Sequence, residues 1–282
     1  MMNLGPNPAL EVLDRVETRL ITARVILVGM AILVPLTMVA IAIPVVRSSG
    51  IGDVLGLIGM TAVMVWIFLG FRSAGYARRL REATMLLSLG QADAAGERAE
   101  QIVESYNATR PVLLAATALL ARVRHLQGRH VEAAQIADFV VQRRERVLGG
   151  EKPGIRLLLV DSLLSLGQTH LAHSAMLPLY REKLDLAQSL RLLVQQLRVE
   201  TRGDSSAAMM QNLPSKLFMA ELMPVADSVL VHAMLYRAAS NTDHAGWTEF
   251  LGRRLRLLEP DAKAFEREPA LRSIGPTLDL AE

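Results

Sequence analysis

From Val25 to Val46 the chain runs 22 residues without a charge, bracketed by Arg24 and Arg47. As a helix this stretch is roughly 33 Å long, enough to cross a hydrocarbon core of about 30 Å. From Val54 to Phe71 there are 18 more uncharged residues, between Asp53 and Arg72. The link, RSSGIGD, reads as a short Ser- and Gly-rich turn. Two such runs in succession predict a transmembrane helical hairpin rather than a buried hairpin of a soluble core. A cleaved signal peptide does not fit, because the first run starts late, is too long and is followed at once by a second.

Arginines set the expected orientation. Arg15, Arg19 and Arg24 precede the first span. Arg72, Arg78, Arg79 and Arg81 follow the second, and the turn holds only Arg47. Both termini are expected on the cytoplasmic side of a bacterial-type inner membrane, with the turn outside. Arg78, Arg79 and Arg81 stand where they would meet anionic head groups of the lipid bilayer. Pro35 predicts a kink in the first span. Gly52 and Gly56 form a small-xxx-small pair, which serves packing of the two spans on each other and offers a route to a homo-oligomer.

Ahead of the first span, NPALEVLDRVETRL has Asn7 as a helix cap and Pro8 at the first helical position. Leu10, Leu13, Val16 and Leu20 form one apolar stripe. This amphipathic segment either lies on the membrane surface or docks on the part that follows.

After Arg72 the pattern is helical throughout. A hexamer, LLSLGQ, occurs at Leu86–Gln91 and again at Leu163–Gln168. Aligned on its glycine, Gly90, Gly128, Gly167 and Gly203 each close a leucine-rich stretch, and Asn241 is a fifth member. The intervals are 38, 39, 36 and 38. A glycine there supplies the left-handed residue of a helix end, and asparagine is the next most tolerant type. Five residues further stand Ala95, Ala133, Ala172, Ala208 and Gly246, small enough for a second helix to lie close against the first. Ala83 and Ala121, seven residues before their glycines, are placed to face that contact. Pro178 and Pro214 each fall eleven residues after their glycine, so the second helices of units three and four should bend or shorten. About five helical hairpins in tandem follow from a period near 38, which is a solenoid period.

The leucine-glycine pair with alanine five residues on resembles the core of the tetratricopeptide repeat. LRLLEPDAKAF, from Leu255 to Phe265, is similar to that family's repeat junction, where proline precedes the next helix. The resemblance covers Ala74 to Glu268. It departs from the family in period and at Ala92, His130 and Thr169, where an aromatic would stand. It implies a right-handed superhelix whose first helices line a concave groove.

Composition narrows the chemistry. The net charge is +3, from 31 Lys+Arg against 28 Asp+Glu, and aromatics make up 4% of the chain. That is not the clustered basic, aromatic face that binds nucleic acid. With no cysteine, disulfides, thiolate metal sites and cysteine nucleophiles are excluded. His170 and His173 share a helix face, but a zinc site needs a further converging ligand and no H-E-x-x-H occurs. GIGDVLG follows a membrane span, not a strand, so it is not a nucleotide loop. No cofactor and no enzymatic constellation is expected.

Four polar residues remain as groove or partner-binding candidates. Arg122 and Asp161 stand six residues before their glycines, and His125 and Glu200 stand three before theirs. They form either a polar strip along the groove or an intramolecular Arg-Asp pair keying adjacent repeats, and the second is preferred. The run QRRERV, Arg143 to Arg146, is read as a solvated helix face.

The expected architecture is all-α. An amphipathic segment spans 1–24, a transmembrane hairpin 25–71, an α-solenoid of about five tetratricopeptide-like hairpins 72–268, and a tail 269–282. The expected function is that of a membrane-anchored scaffold or adaptor that binds an unknown protein partner in its cytoplasmic groove. The alternatives are a structural subunit of a larger membrane transport or secretion assembly, or a metal-dependent enzyme using His170 and His173.

Overall fold

The structure, a computed structural model, describes residues 11–22, 51–105, 109–142 and 152–258. It also describes single positions between 25 and 35, Phe265, and residues 268–272. The turn residues 47–50, the run 143–146, Pro260 and the tail beyond 272 lie outside the described residues. Among the described residues every regular element is helical. The chain divides into two compact units, Met1–Gly149 and Gly150–Glu282.

The first unit begins with α1, residues 11–22, and helical backbone recurs at Val25, Val28, Gly29, Ile32 and Pro35. Then come α2 (Ile51–Ser88), α3 (Ala92–Glu104), α4 (Arg110–Leu126) and α5 (His130–Gln142). The second apolar run and the first helix of the repeats form one continuous helix. The helix starts at Ile51, inside the predicted turn, and continues for 38 residues into the first repeat. No proline stands in it, and Gly75, which a helix interior tolerates at a cost of about 1 kcal/mol, does not stop it.

Among the described residues no helix is long and apolar enough to cross a membrane. The first predicted span falls almost wholly outside the described residues, as do many side chains of the second, including all of 51–58. The side chains that are described form two exposed apolar stripes. Ile21, Val25, Val28 and Ile32 are 48–66% exposed, and Met60, Met64, Phe68 and Phe71 are 57–76% exposed. Steps of three and four residues place each set on one helix face.

In this unit α2 packs on α3, α3 on α4, α4 on α5, and the two first helices α2 and α4 on each other. Consecutive helices pack on each other and the two first helices also meet, which is the pattern of stacked hairpins. Alanines sit at the crossings as expected: Ala83, Ala95, Ala121 and Ala133 are fully buried. Gly96 shows how close the helices lie, since a Cβ there would stand 3.1 Å from Val123 Cγ1.

The amphipathic helix α1 docks on the protein. Val16 is fully buried and Leu20 is 3% exposed. Arg15 Nη1 donates to Glu104 Oε1 at 3.2 Å, and Arg19 donates to the carbonyl of Val103 at the end of α3. A cleft of about 190 Å³ lies along α1, lined by Glu11 and Arg15, by Glu104 of α3, by Leu120 and Arg124 of α4, and by Ile136 of α5. Of the two expectations for this segment, docking is the one the structure displays.

The second unit holds α6 (Lys152–Ser165), α7 (Thr169–Met176), α8 (Leu186–Arg202), α9 (Ser206–Met210), α10 (Leu213–Glu221), α11 (Val225–Asn241) and α12 (Ala245–Leu257). The first helices α6, α8 and α11 pack in sequence, each also on its own second helix. The two prolines act as expected. α7 gives way at Met176 to a 3-10 turn, Leu177–Arg181, that holds Pro178. The next second helix is split into α9 and α10, with Asn212 in the left-handed region (φ 52°) just before Leu213 and Pro214. The core is built from Leu193, Leu197, Met209, Val231, Met234, Leu235, Leu251 and Leu255, and it includes Phe265 and Leu271, which follow α12 in the chain.

The repeat turns correct the register read from glycines. Gly90, Gly128 and Gly167 have φ of 80°, 74° and 73°. In units four and five the left-handed residue is Asp204 (φ 51°) and Asp243 (φ 53°), not Gly203 or Asn241. Gly203 has φ −85°. All five turns share one hydrogen bond, from the residue after the left-handed one back to the carbonyl five residues earlier: Gln91 to Leu86, Arg129 to Arg124, Gln168 to Leu163, Ser205 to Glu200 and His244 to Ala239, at 2.9–3.1 Å. This is the Schellman closure, and aspartate tolerates its left-handed position next best after glycine and asparagine. Ala208 and Gly246 therefore miss the close contact assigned to them. Met209 holds the buried position in unit four, and Gly246 is exposed.

Candidate functional site on the first helices of the second unit

In the corrected register Asp161, Arg198 and Arg237 each stand six residues before the left-handed residue of their turn. They come from α6, α8 and α11, three first helices packed side by side. Identical offsets on stacked helices put the three side chains on one face, as the Asp161 pattern predicts. Arg198 Nη1 donates to Asp161 Oδ1 at 2.5 Å, which joins α8 to α6. The Arg-Asp pair that the structure shows between these adjacent repeats joins Asp161 to Arg198, a residue that the glycine register does not single out.

Arg198 also serves a second acid. Its Nε donates to Glu268 Oε2 at 2.9 Å. One turn further along α8, Arg202 grips the same carboxylate with two bonds, Nε to Oε1 at 2.6 Å and Nη2 to Oε2 at 3.0 Å. Its remaining Nη1 donates to the carbonyl of Leu164, at the negative end of α6. Glu268 is 1% exposed, while Arg198 and Arg202 are 13% and 16% exposed. Among the described residues, two cations face two carboxylates in this cluster. That balance is what permits charges at this depth, since an unpaired buried charge costs several kcal/mol.

The third member of the row holds backbone. Arg237 Nη1 donates to the carbonyl of Ala270 at 3.0 Å. On either side of Glu268, Phe265 is 3% exposed and Leu271 is fully buried. A short 3-10 turn, Pro269–Leu271, carries Ala270 and Leu271. The first-helix face of this unit thus holds a stretch of the chain itself, by a carboxylate, a carbonyl and two apolar side chains.

Glu200 is not part of this row. It stands four residues before Asp204, and a one-residue shift turns a side chain about 100° around the helix. It accepts from Gln196 Nε2 at 2.8 Å and faces Lys216 Nζ of α10 at 4.0 Å. Lys216 donates to the carbonyls of Ala208 and Met209, closing the end of α9. Burial pushes the Lys216 amine below its ordinary range, and the Glu200 carboxylate opposes that shift.

Arg122 and His125 belong to the first unit. Arg122 is half-buried. His125, in the last turn of α4, stacks edge to face on His130 across the Gly128 turn, with ring centroids 4.9 Å apart. Arg124, beside them, bridges Glu100 of α3 and Glu132 of α5. At the end of α2, Arg78 pairs with Glu82 at 3.3 Å, Arg79 lies 5.5 Å from the ring centroid of Tyr76, and Arg81 is exposed. His170 and His173 are exposed, and among the described residues no group of three or more His, Asp or Glu is placed to hold a metal ion.

Arg198, Arg202, Arg237 and Glu268 escape a reading of the sequence by glycines. Arg198 and Arg237 become visible once Asp204 and Asp243 replace Gly203 and Asn241 as reference points. Glu268 has no local signal, because its partners lie 66 and 70 residues away. No protein-family model, curated protein or solved structure matches the chain.

Proposed function

We propose that the protein is a membrane-anchored adaptor. In this reading a tetratricopeptide-like array of helical hairpins presents its first-helix face to a segment of a partner protein, and an apolar hairpin at 25–71 anchors it in a cytoplasmic membrane. The observation that carries the binding half is the row Asp161, Arg198 and Arg237, because a face that already grips one peptide stretch has the chemistry to grip another. The anchoring half rests on the two uncharged runs and on the exposed stripes Ile21 to Ile32 and Met60 to Phe71. Contiguous apolar surface of that kind is unfavourable against water and favourable against lipid.

Two measurements on the full chain test the halves separately. Carbonate washing of membranes should leave the protein in the pellet, and its release into the wash would remove the anchor. Protease treatment of intact spheroplasts should spare the array, whereas digestion from outside would reverse the orientation. For the adaptor role, a photo-crosslinking residue at exposed Arg191 on α8 should capture a discrete partner in cells, and that capture should vanish with Arg198→Glu. Capture insensitive to Arg198→Glu would place any partner elsewhere.

A further inference from the structure

The 265–271 segment is unusual among the buried parts of the second unit. It follows α12 in the chain, it contributes a charged side chain that is 1% exposed, and its anchors are those a binding site uses for a foreign peptide. Among the described residues, the side-chain contacts to it come from two adjacent first helices: Arg198 and Arg202 of α8 on the carboxylate, Arg237 of α11 on a backbone carbonyl. The bidentate grip of Arg202 fixes the direction of the carboxylate as well as its charge. Phe265, Glu268 and Leu271 follow at three-residue steps, a spacing that a short helical peptide would place on one side. Arg198 and Arg202 also remain tied to the array through Asp161 and the Leu164 carbonyl, so these two stay positioned without the segment.

We propose that residues 265–271 are an internal ligand. The Arg198–Arg202–Arg237 row is a docking site for a peptide that presents a carboxylate three residues after an aromatic side chain and three before a leucine, and the chain's own segment holds that site until such a peptide displaces it. The inference rests on the adaptor reading and supplies the chemistry of its partner. A tethered segment competes at a high effective concentration, which lowers the apparent affinity of an outside peptide. The face is therefore a gated site, open only to a peptide that is abundant, multivalent or better fitted.

The test uses the full chain in detergent and a fluorescein-labelled peptide with the sequence of residues 259–275. Wild-type protein should bind it weakly. Protein carrying Glu268→Ala should bind it about 10-fold tighter or more, because its own segment no longer competes. A peptide with alanine at the Glu268 position should bind neither protein, and Arg198→Glu protein should bind neither peptide. Equal binding of the glutamate and alanine peptides would overturn the proposal. So would Glu268→Ala protein that is folded yet gains no affinity. Should that variant not fold, hydrogen exchange on wild-type protein still decides: saturating peptide should deprotect the amides of 268–272, and amides that stay protected would make the segment a permanent part of the core. The peptide needs neither membrane nor cellular partner. Peptide binding without a captured partner would therefore sink the adaptor reading alone, and a captured partner indifferent to Arg198 would sink this inference alone.

Discussion

Asp161 and Arg198 stand one repeat apart, each six residues before the left-handed residue of its turn, and their side chains meet at 2.5 Å. The pair links successive first helices, and Arg198 passes the link on to Glu268. The two partners of Arg198 differ in exposure, since Asp161 is 22% exposed and Glu268 is 1%. Asp161→Ala should therefore cost about 1 kcal/mol, with water and Glu268 left to satisfy the arginine. Arg198→Ala should cost more, about 3 kcal/mol, because a buried carboxylate loses one of its two cations. Chemical denaturation of the full chain measures both. The double variant should cost less than the sum, and strict additivity would mean that the contact carries no coupling.

The turn register makes a sharper prediction. Gly90→Ala, Gly128→Ala and Gly167→Ala should each destabilise by about 1 kcal/mol, because alanine pays the left-handed penalty although space for its Cβ is open. Gly203→Ala should be close to neutral, since its φ is −85° and its nearest contact is an ordinary 3.4 Å. Asp204→Gly and Asp243→Gly should stabilise slightly, by a few tenths of a kcal/mol. If Gly203→Ala cost as much as Gly167→Ala, the register given by the aspartates would be wrong.

Docking of α1 can be read locally. Val16→Asp places a carboxylate where the wild-type side chain is fully buried, so the helix should leave its site. Hydrogen exchange of residues 11–22 should rise by at least about 10-fold, the loss of roughly 1.4 kcal/mol of protection. Amides of α8 and α11, in the other unit, should not change. Unaltered protection of 11–22 would show that the helix is held by something other than its apolar stripe.

Glu221 gives a pH dependence with a definite sign. Arg254 Nε donates to Glu221 Oε1 at 2.9 Å and Nη2 donates to Oε2, while His232 Nε2 lies 3.7 Å from Oε1. The hydrogen bonds from Arg254 hold the carboxyl below the usual glutamate range, against a smaller upward push from burial. A depressed folded-state value means the unfolded chain binds the proton first. The contribution to stability is therefore present above about pH 4.3 and fades as the pH falls through the folded-state value. Glu221 is 45% exposed, so solvent screening keeps the effect below about 1 kcal/mol. Subtracting the acid-unfolding curve of Arg254→Met from that of wild type should isolate it. Parallel curves down to pH 3 would deny the pair any role.

How much of this was legible in the sequence depends on distance along the chain. The helical period, the hairpin spacing and the glycine turns at 90, 128 and 167 follow from contacts within a few residues, and the sequence determines them by itself. So do the buried alanines at 83, 95, 121 and 133, whose side chains must be small wherever two helices cross closely. The shortening of the second helices at Pro178 and Pro214 belongs to the same class, because proline removes a donor whatever surrounds it. Tertiary structure decided the rest. Whether Gly203 or Asp204 takes the positive φ depends on where α8 must end to pack on α11, and both residues are locally acceptable there. Whether helix 11–22 rests on lipid or on protein depends on whether the fold offers a site that buries Val16 and Leu20. Arg198 and Glu268 are 70 residues apart, and nothing in the neighbourhood of either announces the other. A buried charge is tolerated only beside its counter-charge, and the fold alone brings those two together.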